Sequence, residues 1–545
     1  MGTRDRVARY TGLVGALLLA VAGYLGGALP DATTDRVWNT DAGPLTVTLW
    51  LLGTAAMVGA WWTLRDGAPS TRWAYLTAGW WTLPLLVTAP LGSRDVYSYA
   101  CQGWIYADGG DPYATGVAAA GCPWVEAVAP IWRDTPAPYG PFFVLLAALA
   151  VVLGGGLVGT VVLLRILALA GVLAAAACLP GLARAAGVPP RRATWLLLAC
   201  PLVGVHLVAG AHNDAVMLGL LLPALLLLVR RAPKPDGLHA GPQAVPADVA
   251  PSPASRWWPL GGSRRRSVGS RWWRPSVGVL LVAGLLLGLA VSVKATAVVV
   301  LPFAALAAVR GRPVVRALLR DGGLLAVGAF GGLLVPALLT DLGLGWLGGL
   351  GRSGDTVQWT SPPTAVGMLV DYVGELFGRH PNAVPLTRIA GLLLLAAFLP
   401  LLWSHPLHPL HTLHPLHPPP ESTPAGSIMK LLPWVSACPG HNLMINPAGV
   451  VLGGAGVALA ATVVLAPVFH PWYATWPLAL LAVAATRTGW FVLPCALASF
   501  LALPDGTSLA RLTKAPGAIA MTILVLAVVI WTLSARRSQR SPPPH

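Results

Sequence analysis

Charged side chains are scarce in this chain. Of its 545 residues, only 10% are Asp, Glu, Lys or Arg, while 55% are hydrophobic. So few charges cannot cover a protein of this size in water, which excludes an ordinary soluble globular fold. We therefore predict an all-α polytopic membrane protein that uses lipid as much of its solvent.

Cysteine is also rare, with six residues in the whole chain, which excludes a scaffold held together by many disulfides. Cys178, Cys200 and Cys495 lie in or beside apolar runs and are interpreted as small packing residues. Cys101 and Cys122 share one polar loop. A disulfide between them is chemically allowed, but the sequence leaves their pairing open.

Acidic residues are fewer than basic ones, 20 against 36, which gives a net charge of +16. The basic residues flank apolar runs and do not alternate with aromatic residues on one face, so membrane lipid is the expected partner and nucleic acid is not. By the positive-inside rule these basic segments are cytoplasmic, and both termini with them. They are Arg4 to Arg9, Arg184 to Arg192, Arg230 to Arg274, Arg310 to Arg320, and Arg536 to Arg540.

Apolar runs long enough to cross about 30 Å of hydrocarbon recur along the chain and predict roughly fourteen traverses of a plasma membrane, one more or one fewer. The run 141–180 contains one or two of them. Counted as one crossing, it puts loops 92–140 and 341–386 outside. Loop 504–514 also falls outside, although it carries Arg511 and Lys514 against one acid, which conflicts with the charge rule.

Composition divides the chain into five segments. They are an N-terminal transmembrane half (1–231) with outer loop 92–140, a basic Pro- and Gly-rich cytoplasmic linker (232–276), helices with outer loop 341–386 (277–404), a cytoplasmic low-complexity insertion (405–448), and C-terminal helices with a basic tail (449–545). The insertion contains HPLHPLHTLHPLHPPP, with His at every third position. A low-complexity segment is favoured over a metal site, because no Cys or carboxylate joins the imidazoles.

Loop 92–140 is rich in acidic and aromatic residues. Asp95 follows the third apolar run closely, where low dielectric and neighbouring charges set the pKa of a carboxyl group. It is either a general base or an interfacial acid paired with Arg94, and the two interpretations weigh equally. Tyr113 and Tyr139 lie in Gly- and Pro-rich motifs that are chiefly structural, although both rings could stack on a sugar. Tyr97, two residues after Asp95, is a further candidate for sugar contact.

Two further polar groups interrupt apolar sequence. His212, Asn213 and Asp214 lie between two predicted spans, where function is favoured over a simple helix cap. Lys294 lies in the almost unbroken apolar stretch 277–309, and a cation there needs an anion or a water-filled cavity. Phosphate binding is favoured for Lys294 over snorkelling to the interface.

The segment FHPWY presents His470 and Tyr473 beside a membrane span, where an aromatic belt alone explains Trp472 and Tyr473. Arg352 lies in loop 341–386 with Asp355 and Trp359. These three are candidate ligand contacts, although a solvated loop is the simpler interpretation.

The ordered set RDVYSYACQGWIYADGGDPY, APYGP, GAHND, VKATAVVVLP and FHPWYATWPL resembles the actinobacterial polyprenol-phosphate-mannose-dependent α-1,6-mannosyltransferases, which are GT-C glycosyltransferases. The resemblance covers most of the chain in the same order. It implies a GT-C-type helical bundle with short extracytoplasmic loop helices and an outward-facing active site. The implied donor is polyprenyl-phosphate-mannose, and the implied acceptor is the α-1,6-mannan of lipomannan and lipoarabinomannan.

The same resemblance implies roles for individual residues. Asp95 would be the general base, with Asp214 as the second choice. Lys294, then Arg94, then Arg352 would bind the donor phosphate. The candidates for sugar or acceptor contact are His212, Asn213, Asp214, Tyr97, Tyr113, Tyr139, His470 and Tyr473.

The sequence shows neither a glycine-rich nucleotide loop nor a paired-acid DxD motif, which agrees with a lipid donor and with no cofactor or obligatory metal. Two alternatives stay open. One is a related transferase that uses another lipid-linked sugar such as arabinose. The other is a transporter or flippase of lipid-linked sugars, which would be expected to show internal inverted repeats.

Overall fold

The computed structural model describes residues 2–31, 37–230, 275–309, 315–352, 356–404 and 447–538. Residues 231–274 and 405–446, which hold most of the predicted basic linker and the His-Pro insertion, lie outside the described residues. Asp355 and the end of the basic tail lie outside them as well.

The described part of the chain is helical and contains no strand, only one isolated bridge between Ala502 and Ser508. Short 3-10 or π segments at Val203–Ala209, Ala295–Val300, Leu318–Gly322 and Pro471–Ala474 join some of the helices. The α-helices are α1 (Thr3–Gly26), α2 (Gly43–Thr63), α3 (Thr71–Leu86), α4 (Asp95–Ala107), α5 (Pro141–Gly154), α6 (Leu157–Ala186), α7 (Pro190–Leu198), α8 (Asp214–Val229), α9 (Val277–Val293), α10 (Leu301–Val309), α11 (Val315–Ala317), α12 (Gly323–Leu339), α13 (Trp346–Arg352), α14 (Pro362–Leu376), α15 (Ala383–Ser404), α16 (Pro447–Leu465), α17 (Thr475–Ala484), α18 (Gly489–Ala498), α19 (Leu509–Leu512) and α20 (Lys514–Ser538).

Among the described residues, seven helices are long and apolar enough to cross a bilayer, or eight if the bent pair of α7 and the following π segment forms one span. Five further apolar helices are shorter, at 10–17 residues. The all-α polytopic membrane class predicted from composition is therefore confirmed. The count of about fourteen traverses stays a prediction.

The long apolar run 141–180 is divided into two helices, α5 and α6. Gly155 separates them in a left-handed conformation (φ 64°) that a residue with a side chain rarely adopts. At 14 residues, α5 is about 21 Å long, which is shorter than the hydrocarbon core of a bilayer. The run is thus one full-length helix preceded by one short helix.

Small residues allow close packing of the helices that carry the polar groups. Gly171 of α6 and Gly219 of α8 face each other so closely that a Cβ atom on Gly219 would lie 2.6 Å from the Gly171 Cα. Such contacts between small residues are a usual means of helix association in membranes. They hold α8, which Asp214 begins, directly against α6.

A half-buried arginine in α6 organises the irregular backbone near the polar groups. Arg165 donates hydrogen bonds to the carbonyls of Leu86, Thr88 and Ala209 at 2.9, 2.8 and 2.7 Å. These carbonyls belong to the segments that precede Asp95 and His212. Backbone that leaves helical geometry at membrane depth needs such partners, so Arg165 fixes two candidate segments at once.

Cys101 and Cys122 form a disulfide, with their Cα atoms 5.6 Å apart. The bond ties α4 to the loop that follows it. Cys178, Cys200 and Cys495 are buried and unpaired, which confirms their interpretation as packing residues.

Candidate active site

Helix α4 presents three polar side chains to one cavity. Asp95 begins the helix, and Ser98 and Gln102 follow at i+3 and i+7, which places all three on one face. Ser98 and Gln102 are 5% and 6% exposed, and Ser98 Oγ and Gln102 Oε1 have no hydrogen-bond partner among the described residues. Buried polar atoms are usually satisfied, so these two atoms mark a place for a polar ligand.

We call this space the aromatic cavity. Its volume is about 190 Å³. Besides the three α4 residues, its polar and aromatic lining consists of Trp132, Thr135, Tyr139, Lys294, Thr296, Arg352, Thr462, His470, Trp472, Tyr473 and Trp476. Its apolar lining includes Leu350, Val463, Ala466 and Val468.

Asp95 keeps its carboxylate largely buried, with 13% of its side-chain surface exposed. Its backbone amide donates to Ser93 Oγ at 3.0 Å. Burial raises the pKa of the Asp95 carboxyl group to about 6, against the opposing effects of Ser93 and Lys294. Arg94 donates to the Ala127 carbonyl at 3.0 Å and forms no ion pair with Asp95. The alternative of an Asp95–Arg94 pair is therefore wrong.

Lys294 forms a buried ion pair with Asp214. Its ammonium group donates to Asp214 Oδ1 and Oδ2 at 2.8 and 2.9 Å, and the Trp476 indole donates to Oδ1 as well. The Lys294 ammonium also lies over the Tyr473 ring, 4.9 Å from its centroid. Lys294 is only 12% exposed, so snorkelling to the interface is excluded as its explanation.

Lys294 reaches the cavity because α9 stops at Val293 and a 3-10 segment starts at Ala295. The APYGP motif packs against this break. A Cβ atom on Gly140 would lie 2.3 Å from the Ser292 carbonyl oxygen, and the Phe142 amide donates to Ser292 Oγ at 3.0 Å. Only glycine fits at position 140, which explains that part of the motif.

His212 and Asn213 lie behind the cavity wall. His212 Nδ1 is 3.3 Å from the Tyr99 hydroxyl, 3.7 Å from Asp95 Oδ2 and 3.9 Å from Asp214 Oδ2. Asn213 precedes α8, but its side chain makes no capping hydrogen bond, and both of its polar atoms are buried without a partner in the described chain. The helix-cap interpretation is therefore wrong for Asn213.

The structure separates the predicted sugar contacts into two groups. Tyr139, His470 and Tyr473 line the aromatic cavity, and His470 stacks on Trp472 with ring centroids 4.7 Å apart. The others, His212, Asn213, Asp214, Tyr97 and Tyr113, line neither the aromatic cavity nor the larger space that adjoins it. Tyr97 donates instead to the Ala28 carbonyl at 2.6 Å, and Tyr113 to the Tyr139 carbonyl at 2.8 Å. Both hydroxyls are thus already engaged in holding the loop together.

A second space, of about 660 Å³, adjoins the first, and we call it the arginine cavity. Its lining includes Arg94, Arg133, Gln358, Asp505, Arg511 and Lys514. Asp95, Trp132, His470 and Trp472 line both cavities. Arg94 faces only this second space, whereas Lys294 and Arg352 face only the first, so the three predicted phosphate ligands are not brought together.

Sequence reasoning missed Ser98, Gln102, Thr296 and Trp476. The first two were available from helical spacing, because they follow Asp95 at i+3 and i+7 in the same amphipathic segment. Trp476 had no local signal, since its partner Asp214 is 262 residues away. Among the described residues, no three His, Cys, Asp or Glu side chains are grouped to share a metal ion.

Two regions of the sequence match known protein families. Residues 9–310 match the description "Alpha-(1->6)-mannopyranosyltransferase, N-terminal domain", and residues 445–531 match "MptB C-terminal domain". The first match contains Asp95, Asp214 and Lys294. The second contains His470, Trp476 and Arg511, so both cavities draw on both matched regions.

Several curated relatives are similar over most of the chain. An alpha-(1->6)-mannopyranosyltransferase of Mycobacterium tuberculosis is 31% identical over 96% of this chain and 87% of its own length. Alpha-(1->6)-mannopyranosyltransferase B of Corynebacterium glutamicum is 28% identical over 96% of this chain and 82% of its own length. Alpha-(1->6)-mannopyranosyltransferase A of M. tuberculosis is 30% identical over 59% of this chain and 55% of its own length. No solved structure matches the chain.

With a matched region that covers more than half of the sequence and relatives aligned almost end to end, this chain belongs to the alpha-(1->6)-mannopyranosyltransferase family of membrane-embedded glycosyltransferases.

Proposed function

We propose that this protein is an inverting mannosyltransferase that moves mannose from polyprenyl-phosphate-mannose to an α-1,6-mannan glycolipid at the outer face of the plasma membrane. One observation carries the proposal. Asp95 presents a carboxylate without a bound cation to the same cavity that two cations, Lys294 and Arg352, line. A proton acceptor and a phosphate site are thus available to one substrate pair.

The reaction is a single displacement. The acceptor 6-hydroxyl oxygen attacks the anomeric carbon of mannose while Asp95 accepts the hydroxyl proton. The bond from the anomeric carbon to the phosphate oxygen breaks, and polyprenyl phosphate leaves with the electron pair. A β-linked donor then gives an α product. General-base assistance of this kind contributes on the order of 10² to 10⁴ in rate.

Lys294 is placed to meet the charge that grows on the leaving phosphate. Two of its N–H groups are used by Asp214, and an ammonium group has three, so one donor stays free for the cavity. Arg352 lines the same cavity and adds a second cation. Cations aimed at developing negative charge lower the barrier to reaction.

The apolar part of the cavity lining suits the isoprenoid part of the donor. It includes Leu350, Val463, Ala466 and Val468. The α4 hydroxyl of Ser98 and the amide of Gln102 are free to hydrogen-bond to the mannose hydroxyls, since neither has a partner in the described residues. Aromatic faces from Tyr139 and Tyr473 supply stacking surfaces for the sugar ring.

His212, Asn213 and Asp214 act in this proposal as positioning residues. Asp214 fixes the Lys294 ammonium through both carboxylate oxygens. His212 lies within 4 Å of both Asp95 and Asp214 and bridges the two polar groups. Asp214 is fully buried and its carboxylate is engaged by Lys294 and Trp476, so it is not proposed as the base.

The test is a transfer assay with full-length protein in detergent. Synthetic polyprenyl-phosphate-mannose, polyprenyl-phosphate-arabinose and GDP-mannose are offered in turn to a short α-1,6-mannoside, and the product linkage is read by NMR. Only the lipid-linked mannose should yield an added α-1,6-mannose. Transfer from GDP-mannose alone, or a β-linked product, would overturn the proposal.

The proposed orientation has its own test. Asp108 is exposed at the end of α4, and Asp108→Cys adds a thiol there. The described free thiols, Cys178, Cys200 and Cys495, are buried, and Cys438, which lies outside the described residues, is replaced by Ser in the same chain. In intact cells, a membrane-impermeant maleimide should label this variant. Labelling only after the membrane is opened would place the active site on the cytoplasmic side.

A further inference from the structure

The arginine cavity is not used by the donor in the mechanism above. Resting on that proposed function, we infer that the arginine cavity binds the acceptor saccharide, a chain of neutral hexoses, and delivers its hydroxyl group to Asp95. The donor and the acceptor then occupy two separate spaces that meet at the base.

The two cavities share part of their lining, and the base lies in that shared part. A general base for this displacement must reach the hydroxyl group of one substrate while that oxygen attacks the carbon of the other. Asp95 lines both cavities, as do Trp132, His470 and Trp472. The junction is therefore the one place where two bound sugars would both contact the Asp95 carboxylate.

The chemistry of the lining carries the second part. Guanidinium, amide and hydroxyl groups from Arg94, Gln358 and Thr507 line the arginine cavity, together with the rings of Trp132 and Trp472. Planar hydrogen-bonding groups beside aromatic faces suit a chain of sugar rings, which has polar edges and apolar faces. Thr356, which is 4% exposed, also lines this cavity, and its hydroxyl has no partner among the described residues.

The C-terminal loop at residues 502–508 forms one wall of this cavity and is fixed by the N-terminal helices. The Trp50 indole of α2 donates to the Ala502 carbonyl at 2.9 Å. The Val37 amide donates to the Asp505 carboxylate at 3.3 Å. Elements more than 450 residues apart in sequence thus build a single cleft.

The same loop packs directly on the segment before Asp95. The Gly92 amide donates to the Pro504 carbonyl at 3.1 Å. Gly506 has φ 90°, and a Cβ atom there would lie 3.1 Å from the Ser93 Cα. A change in the conformation of this loop would therefore shift the backbone that positions Asp95.

The inference also accounts for the basic residues that the charge rule leaves unexplained in loop 504–514. Arg511 and Lys514 are exposed at the rim of the arginine cavity, and neither forms an ion pair with a carboxylate in the described part of the chain. Both cations can therefore bind a ligand without breaking an ion pair of the described structure. The positive charge of this loop then serves acceptor binding and carries no information about topology.

The first arm of the test measures both Michaelis constants. Gln358→Ala and Arg511→Ala should raise the KM for an α-1,6-mannoside acceptor about tenfold, the loss expected for a hydrogen bond from a polar or charged group. The KM for polyprenyl-phosphate-mannose should change less than about twofold. Arg352→Ala, in the other cavity, should show the reverse pattern. Arg487→Ala, exposed and outside both cavities, is the matched control.

The second arm does not depend on transfer. Binding of an α-1,6-mannotetraoside to the full-length protein without donor is measured by calorimetry, and thermal unfolding confirms that each variant is folded. Wild type should bind, and Gln358→Ala and Arg511→Ala should each weaken binding about tenfold, with Arg511→Lys retaining part of it.

The two arms separate failure of the inference from failure of the proposed function. Transfer with an unchanged acceptor KM, or with a raised donor KM in these variants, overturns the assignment of the cavity and leaves the mannosyltransferase intact. Binding that is lost in the variants of a protein that transfers no mannose supports the cavity and overturns the reaction. A protein that neither transfers nor binds the mannoside overturns both.

Discussion

The helices α4 and α8 each begin with an aspartate that is largely or fully buried, and the two carboxylates have different surroundings. Asp214 at the start of α8 is fully buried, with its carboxylate bound to Lys294 and Trp476. Asp95 at the start of α4 is 13% exposed, and no Lys or Arg of the described chain pairs with it. Burial alone therefore does not identify a base; an open carboxylate beside a cavity does.

The largest expected effect comes from removing the open carboxylate. Asp95→Asn keeps the shape of the side chain but cannot accept a proton, so kcat should fall by on the order of 10² to 10⁴ with little change in stability. Steady-state transfer of mannose measures it. Asp108→Asn, exposed at the end of the same helix, is the control and should retain activity. An Asp95→Asn variant with more than a tenth of wild-type activity would remove the distinction between the two sites.

The second effect is on stability and concerns Asp214, whose carboxylate is bound by Lys294 and Trp476. Asp214→Asn leaves the Lys294 ammonium buried without its partner, which should cost about 3–5 kcal/mol of unfolding free energy. Adding Lys294→Met to the same chain should restore much of this loss, because the buried charge is then removed. Denaturant unfolding in detergent micelles reads the difference. An Asp214→Asn variant that is as stable as wild type would show that this ion pair contributes little to folding.

The dependence on pH sharpens the comparison further. Burial raises the pKa of Asp95 to about 6, so the carboxyl group is protonated, and inactive as a base, below that value. The kcat/KM for transfer should therefore be level above pH 7 and fall about tenfold per pH unit well below pH 6. An ordinary exposed carboxylate would keep activity level to about pH 4. A profile that is flat down to pH 4.5 would contradict Asp95 as the base.

The smallest effects are expected for Ser98 and Gln102, the other polar side chains on the face of α4 that carries Asp95. Ser98→Ala and Gln102→Ala should each lower kcat/KM about two- to tenfold, the loss of one hydrogen bond to the sugar. Ser499→Ala removes a buried hydroxyl outside both cavities and is the control. Unchanged kinetics in both α4 variants would mean that the face holds no sugar and that Asp95 acts alone on it.

Local sequence predicted much of the fold. Apolar runs predicted most of the helices, because lipid requires an apolar segment whose own backbone groups are hydrogen-bonded. Lys294 and the segment from His212 to Asp214 were found as polar groups in apolar sequence for the same reason. The sequence did not predict which charged side chains pair with each other. Arg94 adjoins Asp95 in sequence, yet it turns to the Ala127 carbonyl, whereas Lys294 pairs with Asp214 across 80 residues.

The three tyrosines of loop 92–140 also show what local sequence does not predict. Tyr97, Tyr113 and Tyr139 all lie in loop 92–140, and the sequence did not decide which of them would contact a sugar. Only Tyr139 lines a cavity, because the hydroxyls of the other two reach carbonyls at Ala28 and Tyr139. Which partner a side chain meets depends on helix packing, which a single loop does not encode.

The sequence by itself determined that this protein lives in a membrane, that its backbone is helical, and that a few polar groups interrupt the apolar runs. Each of these follows from the cost of placing polar atoms in hydrocarbon, which is felt residue by residue. Only the tertiary structure decided that Asp95 stays open while Asp214 is closed, and that a loop near residue 505 completes a cleft begun near residue 37. Those outcomes depend on distances between segments far apart in the chain, and such distances are set by the packing of the whole bundle.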